Sequence, residues 1–358
     1  MKDEVMPRVL FIADQFADVT RTAWERYPGG AELTDEAAFA ACPWPLECAL
    51  TDEVDPRRLA EFDVHIIGNC ERPSAALVQE LMRLGRHVLF EHDLRLCQWR
   101  GNFPAASEYT HRYMHRCICP ILHLAPLIET ARGTIFLTTA QRERYLRNPF
   151  FVDGPSSVLG SSLMSESFVD RVRNREKDAL ERDLDTVVVF SRQQNKGYEQ
   201  AMRYCLDRNI EPYVIRDLTP AQVLDVFERA RTLVYLPTGP EPAGRLPLEA
   251  RFLGCNVVAN DLVGVCREPW WRLPDHEAFP MVADGPARFW RLVEDLLEGG
   301  HEQAGAPASR TGLRVTRPFN LGLTVVQRAL FSGPIIKRLG QAAMSKALEP
   351  RLMWDAQI

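Results

Sequence analysis

No stretch of the chain reaches the roughly 18 uninterrupted apolar residues that a bilayer-crossing helix requires, so no membrane span is expected. The opening residues MKDEVMPRVLFIAD place acids within the first five positions and hold only a short apolar run, the pattern of a first strand rather than of a secretion signal. Charge of one sign is also lacking. With 43 Lys and Arg against 48 Asp and Glu, the net charge of −5 gives no overall pull towards nucleic acid or an anionic membrane, which leaves only local basic clusters for such partners. The nine cysteines, an odd number, are scattered without framework spacing, which suits free thiols in a reducing compartment; a cytoplasmic location, bacterial or viral-host, is expected. No D-x-D element stands where it could serve a divalent cation, so neither a catalytic metal nor a cofactor is expected. What remains is the composition of a folded protein, 46% hydrophobic and 25% charged, and 358 residues suit two domains of ordinary size.

The chain is organised around residues 230–260. An apolar strand (232–236) is followed by a Pro/Gly-rich loop (237–247), a short helix (248–253), a stop at Gly254 and a second apolar strand (256–259). That order is part of a βαβ unit, with its loop at the carboxyl end of the first strand, where open parallel sheets place ligands. The loop and the first helical turn carry Glu241 and Glu249, eight positions apart. Pro247 suits a first helical position, and a carboxylate at Glu249 is favoured by the helix dipole. Two such acceptors can grip the hydroxyls of a sugar and of a ribose. They can equally be a helix-stabilising acid and a solvated loop acid, and spacing alone does not separate the two readings.

The wider pattern is more specific. Glu241-x-x-Gly244, then Pro247-Leu248-Glu249-Ala250, then Gly254-Cys255-x-Val257-Val258-Ala259, resembles the donor-binding signature of retaining GT-B glycosyltransferases, in particular the glycogen-synthase-like and mannosyltransferase-like enzymes of family four. The resemblance implies that Glu241 contacts the transferred sugar and Glu249 the nucleotide ribose, with Leu246 in the same donor-binding segment. Arg245 departs from the apolar residue usual after the glycine; it reads as an added phosphate or acceptor contact, or as a surface arginine. Near the other end of the chain, Gly29-Gly30-Ala31-Glu32 follows the first strand (8–14) and opens a helix (33–41), which looks like the family's loop against the donor diphosphate.

Strands are expected at 62–68 and 87–90, joined by an amphipathic helix at 74–84 with Leu77, Leu81 and Leu84 on one face. Glu91-His92-Asp93 follows, at a strand end where such domains place chemistry. In the related enzymes a histidine at a corresponding strand end lies near the donor sugar, and His92 matches it; the bland alternative is a histidine satisfied by a neighbouring carboxylate. Glu32, Asp93 and Arg95 are the acceptor-side candidates. His111, His115, Cys117, Cys119 and His123 crowd into thirteen residues and make a conceivable zinc set, although C-x-C is tighter than the usual spacing and Pro120 interrupts any helix. A strand at 134–138, a helix from about 139 and a strand and turn at 158–162 close the first domain (1–168). The charged run 170–185 reads as a solvated linker or helix.

The second domain (185–315) begins with a strand at 186–190 and the loop Ser191-Arg192-Gln193-Gln194-Asn195-Lys196-Gly197. Arg192 and Lys196 stand where cations would neutralise a departing diphosphate, as in the family's G-R…K-G loop, although Ser191 replaces its first glycine and the spacing is shorter. A strand at 212–215 and helices at 198–208, 220–229 and 287–297 follow. Trp270 and Trp271 read as core or interdomain packing, and helices in 316–358 are expected to cross back to the first domain. The resemblance therefore implies an α/β, GT-B architecture with two Rossmann-like domains across a cleft. It implies a metal-independent retaining transfer from a nucleoside-diphosphate sugar to a hydroxyl of a glycan, a lipid, a small molecule or a modified DNA base. The arrangement also looks like glycosyltransferases of phages and environmental bacteria. The alternative is a non-catalytic nucleotide-sugar or glycan-binding protein on the same fold, which the altered 191–196 loop keeps open.

Overall fold

The computed structural model describes residues 6–17, 27–71, 73–95, 124–148, 151, 153–175 and 182–299. Two parallel sheets form the frame. The first joins β1 (Val9–Ala13), β2 (Leu46–Leu50), β3 (Val64–Ile67), β4 (His87–Glu91), β5 (Gly133–Phe136) and β6 (Ser156–Val158) in the order β2-β1-β3-β4-β5-β6. The second joins β7 (Leu184–Val189), β8 (Tyr213–Ile215), β9 (Ala230–Tyr235) and β10 (Asn256–Ala259) in the order β10-β9-β7-β8. Every pairing in both sheets is parallel. Strands buried on both faces read as unbroken apolar runs, and all five residues of β1, VLFIA, are buried. The expected α/β, two-Rossmann, GT-B arrangement is present.

Both strand orders reverse direction beside their first strand, between β1 and β3 in one sheet and between β7 and β9 in the other. At such a switch point the connections leave to opposite faces and open a crevice at the carboxyl ends of the strands. The fold thus designates four loops, after β1, β3, β7 and β9, before any side chain is considered.

The helices are α1 (Gly30–Ala40), α2 (Ala75–Leu84), α3 (Ala125–Glu129), α4 (Thr139–Arg147), α5 (Glu166–Asn174), α6 (Tyr198–Leu206), α7 (Pro220–Arg229), α8 (Arg245–Phe252), α9 (Asp275–Ala283) and α10 (Gly285–Gly299). Helix α2 follows its sequence signals closely: Ser74 caps its start by accepting from Leu77 N, Leu77 and Leu81 face inward, and Gly85 ends it in the left-handed region. Helix α7 begins with a capping box in which the Thr219 and Gln222 side chains each accept from the other's backbone.

Three sequence expectations change. The run 170–185 is not simply a solvated linker, because α5 occupies Glu166–Asn174 and buries Phe168 and Val169, and β7 already begins at Leu184. Helix α8 starts at Arg245, so Glu249 lies in its second turn and the helix has no acid in its first. Pro247 is then the third helical residue, where a missing N–H still costs nothing. Edge strand β2 and helix α9 were not anticipated; β2 is only partly buried along its length and carries a weak apolar signal.

The return to the first domain is made by α10. Trp290 Nε1 donates to Ala38 O at 2.8 Å, Phe289 meets Phe90 at 4.6 Å between ring centres, and Trp290 meets Trp44 at 5.7 Å. Residues 316–358, expected to make that crossing, lie outside the described residues, as does the His111–Cys119 cluster. One apolar cluster runs from Val9 and Phe11 through Leu163 and Trp270 to Leu233 and Phe252, so the two sheets share a continuous core. Trp270 Nε1 donates to Gly160 O at 2.9 Å, in keeping with the interdomain packing expected of that residue. Among the described residues no helix is long and apolar enough to cross a membrane.

Candidate functional site

The loops designated by the two switch points meet. A cleft of about 260 Å³ is lined on one side by Gly29, Gly30, Glu32, Thr34, Asn69, His92, Asp93 and Ser162, and on the other by Gln193, Lys196, Pro240, Glu241, Gly244 and Arg245. The two walls are close: a Cβ built on Gly30 would stand 3.7 Å from the Arg245 Cβ.

The second-domain wall is held by backbone. Thr238 N and Gly239 N donate to Asn195 O at 2.9 and 3.1 Å, tying the loop after β9 to the loop after β7. On its other side, Glu241 N donates to Leu262 O at 2.9 Å and Gly264 N to Glu241 O at 2.8 Å. Two glycines permit this crossing. Gly197 has φ +73, and a Cβ there would fall 1.8 Å from Leu236 O; Gly244 has φ +77, and a Cβ would fall 2.5 Å from Val263 Cγ1. The clamped loop sets Glu241 against Lys196, with Nζ to Oε2 at 2.6 Å, and the buried Tyr235 hydroxyl donates to the same oxygen at 2.9 Å. Burial, with the Glu241 charge beside it, holds the Tyr235 hydroxyl well above its ordinary pKa, so it remains a donor.

Three helices begin around the cleft, and none has a side-chain cap. Glycines stand at the N-cap positions of α1 (Gly29), α6 (Gly197) and α8 (Gly244), without a capping hydrogen bond from a side chain. Hydroxyls of Ser74, Thr138, Ser165 and Thr219 cap α2, α4, α5 and α7, while α3 and α9 also begin without a side-chain cap. Bare helix N-termini leave N–H groups and the positive dipole end for an anion. Glu32 stands by the first of them: a Cβ on Gly29 would lie 2.7 Å from its Oε2.

The loop after β4 is fastened from behind. Arg95 Nε binds Glu91 Oε1 at 2.7 Å, and Arg95 Nη2 donates to Gly68 O at 2.6 Å. The Tyr145 hydroxyl donates to Glu91 Oε2 and accepts from Arg95 N. Gln141 Nε2 donates to Glu91 O at 3.0 Å and to Asp93 O at 2.9 Å. These bonds present His92 and Asp93 to the cleft.

The predicted residues divide accordingly. Gly29, Gly30, Glu32, His92, Asp93, Lys196, Glu241 and Arg245 come together on one cleft. Arg95 does not: it is 3% exposed, and its guanidinium is engaged by Glu91 and backbone carbonyls, which makes it a fastening of the loop rather than an acceptor contact. Arg192 is exposed and outside the lining; Leu246, in the first turn of α8, is also outside it and is partly buried against the core. Glu249 is also absent from the lining. It is 7% exposed and bound by Arg245 Nε at 2.7 Å, while Arg245 Nη1 donates across the domains to Leu163 O at 2.9 Å. Burial raises the Glu249 pKa, and the Arg245 charge offsets only part of that rise. Among the described residues no group of three His, Cys, Asp or Glu side chains forms a metal site.

Sequence reasoning missed Asp35, Tyr235, Asn69 and Ser162. Asp35 left one trace: it lies one helical turn from Ala38 on the buried side of α1, a position where an acid needs a partner. The others are ordinary residues whose place is decided by strands far away in sequence.

No family model matches the chain, and no curated protein matches it. Solved structures do resemble it. HepE of Anabaena, in complex with UDP and glucose, is 15% identical with a TM-score of 0.44, over 83% of this chain and 99% of that one. Trehalose-6-phosphate synthase OtsA is 10% identical with a TM-score of 0.43, over 83% of this chain and 98% of that one. An alpha-glucosyltransferase in complex with UDP and a 13-mer DNA containing a HMU base is 10% identical with a TM-score of 0.44, over 83% and 94%. At such distances, what the site does is decided by its own side chains.

Proposed function

We propose that the chain transfers a sugar from a nucleoside-diphosphate donor to an acceptor hydroxyl, with retention of configuration and without a catalytic metal. The observation that supports this best is the convergence, at two switch points, of a lysine–carboxylate pair from one domain with a glycine-opened helix from the other. The diphosphate lies against the bare N-termini of α1 and α8, and Lys196 exchanges Glu241 for a phosphate oxygen as the donor binds. Glu241, still held by Tyr235, then accepts from hydroxyls of the transferred sugar. Glu249 turns to the ribose only after Arg245 releases it, and Arg245 then has the diphosphate as its counter-charge. A volume of about 260 Å³ is below the ~300–1,000 Å³ usual for ligand pockets, which suits a sugar and its phosphates with the nucleoside extending along the second domain.

In the reaction the bond between the anomeric carbon and the diphosphate oxygen breaks, and its electron pair leaves on the diphosphate. An acceptor hydroxyl attacks from the same face through an oxocarbenium-like transition state, and its proton goes to the departing phosphate oxygen. Lys196 and the helix amides stabilise the charge as it develops, without reorganisation at that moment. His92 lines the reacting face.

The test is incubation with a panel of nucleotide sugars. Release of nucleoside diphosphate, slow without an acceptor and lost in Glu241→Ala and Lys196→Ala, is the expected result. Thermal stabilisation by nucleotide with no release would instead establish a binding protein. Pooling acceptors by class, from glycans and lipids to hydroxymethylated DNA, identifies the second substrate.

A further inference from the structure

His92 is gripped from behind by a residue that no motif announced. Its Nε2 lies 2.7 Å from Asp35 Oδ1, with the two side chains 3% and 1% exposed. Its other ring nitrogen, Nδ1, is buried without a hydrogen-bond partner among the described residues, although the residue lines the cleft. The ring is not free to turn and find one. The Phe90 ring packs against it at 4.4 Å between centres, and the Glu91, Arg95, Tyr145 and Gln141 network fixes the loop on which it stands.

We propose that Asp35 is a positioning residue that keeps His92 as an imidazolium, with its Nδ1–H presented to an oxygen of the bound donor. This rests on the glycosyl-donor reading for the identity of the oxygen; the state of the ring rests on its contact with Asp35 and on the carboxylates around it. If Asp35 is ionised, Nε2 must carry a proton to donate to it. The second proton, on Nδ1, is what turns an orphaned buried nitrogen into a charge-assisted donor. The charged groups around the ring favour this form. Asp35 and Glu32 face it from α1, and Asp93 follows it in the loop. The cations on the opposite wall, Lys196 and Arg245, are paired with Glu241 and Glu249. Burial alone would discharge the ring, but the carboxylates outweigh it and raise the His92 pKa above its ordinary value; burial also raises that of Asp35. With Asp35 ionised, the imidazolium carries a proton on each ring nitrogen and persists until pH rises through the raised His92 value.

The free protein supplies the first test. ¹⁵N resonances of the His92 ring, followed from about pH 5 to about pH 9, should show both nitrogens still protonated above the ordinary histidine pKa, and Asp35→Asn should bring deprotonation to lower pH. In turnover, Asp35→Asn should lower kcat/KM for the donor about 10–100-fold at alkaline pH, with a smaller loss at acid pH and the alkaline limb moved downwards. In a His92→Gln background, whose amide cannot titrate, adding Asp35→Asn should cost less than about twofold further. A neutral His92 at pH 7 in the wild-type protein, or losses that multiply in the double variant, would overturn the proposal. Absence of any donor turnover would defeat the functional reading instead, and the resonances would still decide the state of the ring.

Discussion

Removing the Lys196 ammonium should separate catalysis from stability more sharply than any other single change. The pair it forms with Glu241 is short, 2.6 Å, but the lysine side chain is 34% exposed and the glutamate 15%. A pair open to solvent to that degree contributes about 0.2–1 kcal/mol, and Glu241 keeps the Tyr235 hydroxyl when the lysine is gone. Lys196→Ala is therefore expected to lower Tm by no more than about 2–4 °C. Under the proposed function the cost to the reaction is larger, because the charge then acts where negative charge develops. Loss of one preorganised electrostatic partner lowers kcat by about 10²–10³, or about 2.7–4 kcal/mol. Steady-state donor turnover, with kcat and KM separated, measures this beside a melting curve. Glu241→Gln added to Lys196→Ala should cost less than the product of the single losses, since the two groups act as one unit. Arg192→Ala is the internal control: exposed and outside the cleft, it should stay within about threefold of wild type. If Lys196→Ala retains kcat within about threefold, or if Arg192→Ala falls as far as Lys196→Ala, the electrostatic assignment is refuted.

Other consequences concern the frame. His87 is fully buried, binds Leu127 O at 2.7 Å, and has its pKa pushed down by burial to about 4. The unfolded chain takes up that proton first, so stability falls as pH drops from about 6.5 towards 4, by up to about 3 kcal/mol; urea unfolding at both pH values should show a smaller fall for His87→Leu. Gly197→Ala should cost about 2–4 kcal/mol in the same assay, from φ +73 and the contact with Leu236 O, whereas Gly154→Ala, with nothing within 4 Å of its Cβ, should be close to neutral. Trp290→Ala should cost about 3–5 kcal/mol in urea unfolding, because the ring is 2% exposed between Trp44 and Phe289 and its N–H reaches Ala38 O.

Much of the frame was legible because its signals are local. The apolar run at Val9–Ala13, the serine before Ala75–Leu84 and the proline-led helix Pro220–Arg229 each carry their own start, period or stop. Strand β2 was not, since a half-buried edge strand need not alternate or concentrate its apolar residues. Helix α8 was placed late because Pro247 looks like a first residue and is in fact the third. The cleft lining was legible where a rare residue type stands at a backbone turning point, as at Gly29-Gly30 and Glu241-x-x-Gly244. Arg95 misled because a charged side chain in a motif is counted as available, and burial had already given it Glu91 as a partner; Glu249 is likewise held in the free protein, by Arg245.

Linear order thus determined the elements themselves, two successive α/β units, and the two glycine-bearing loops that line the cleft. These follow from backbone sterics, hydrophobic periodicity and glycine, which act over a few residues. Only the tertiary structure decided that the loops face one another, that Lys196 rather than Arg192 reaches the cleft, and that Asp35 stands behind His92 across 57 positions of chain. Those outcomes depend on strand order and on which charges share a buried space, and neither is encoded in any one segment.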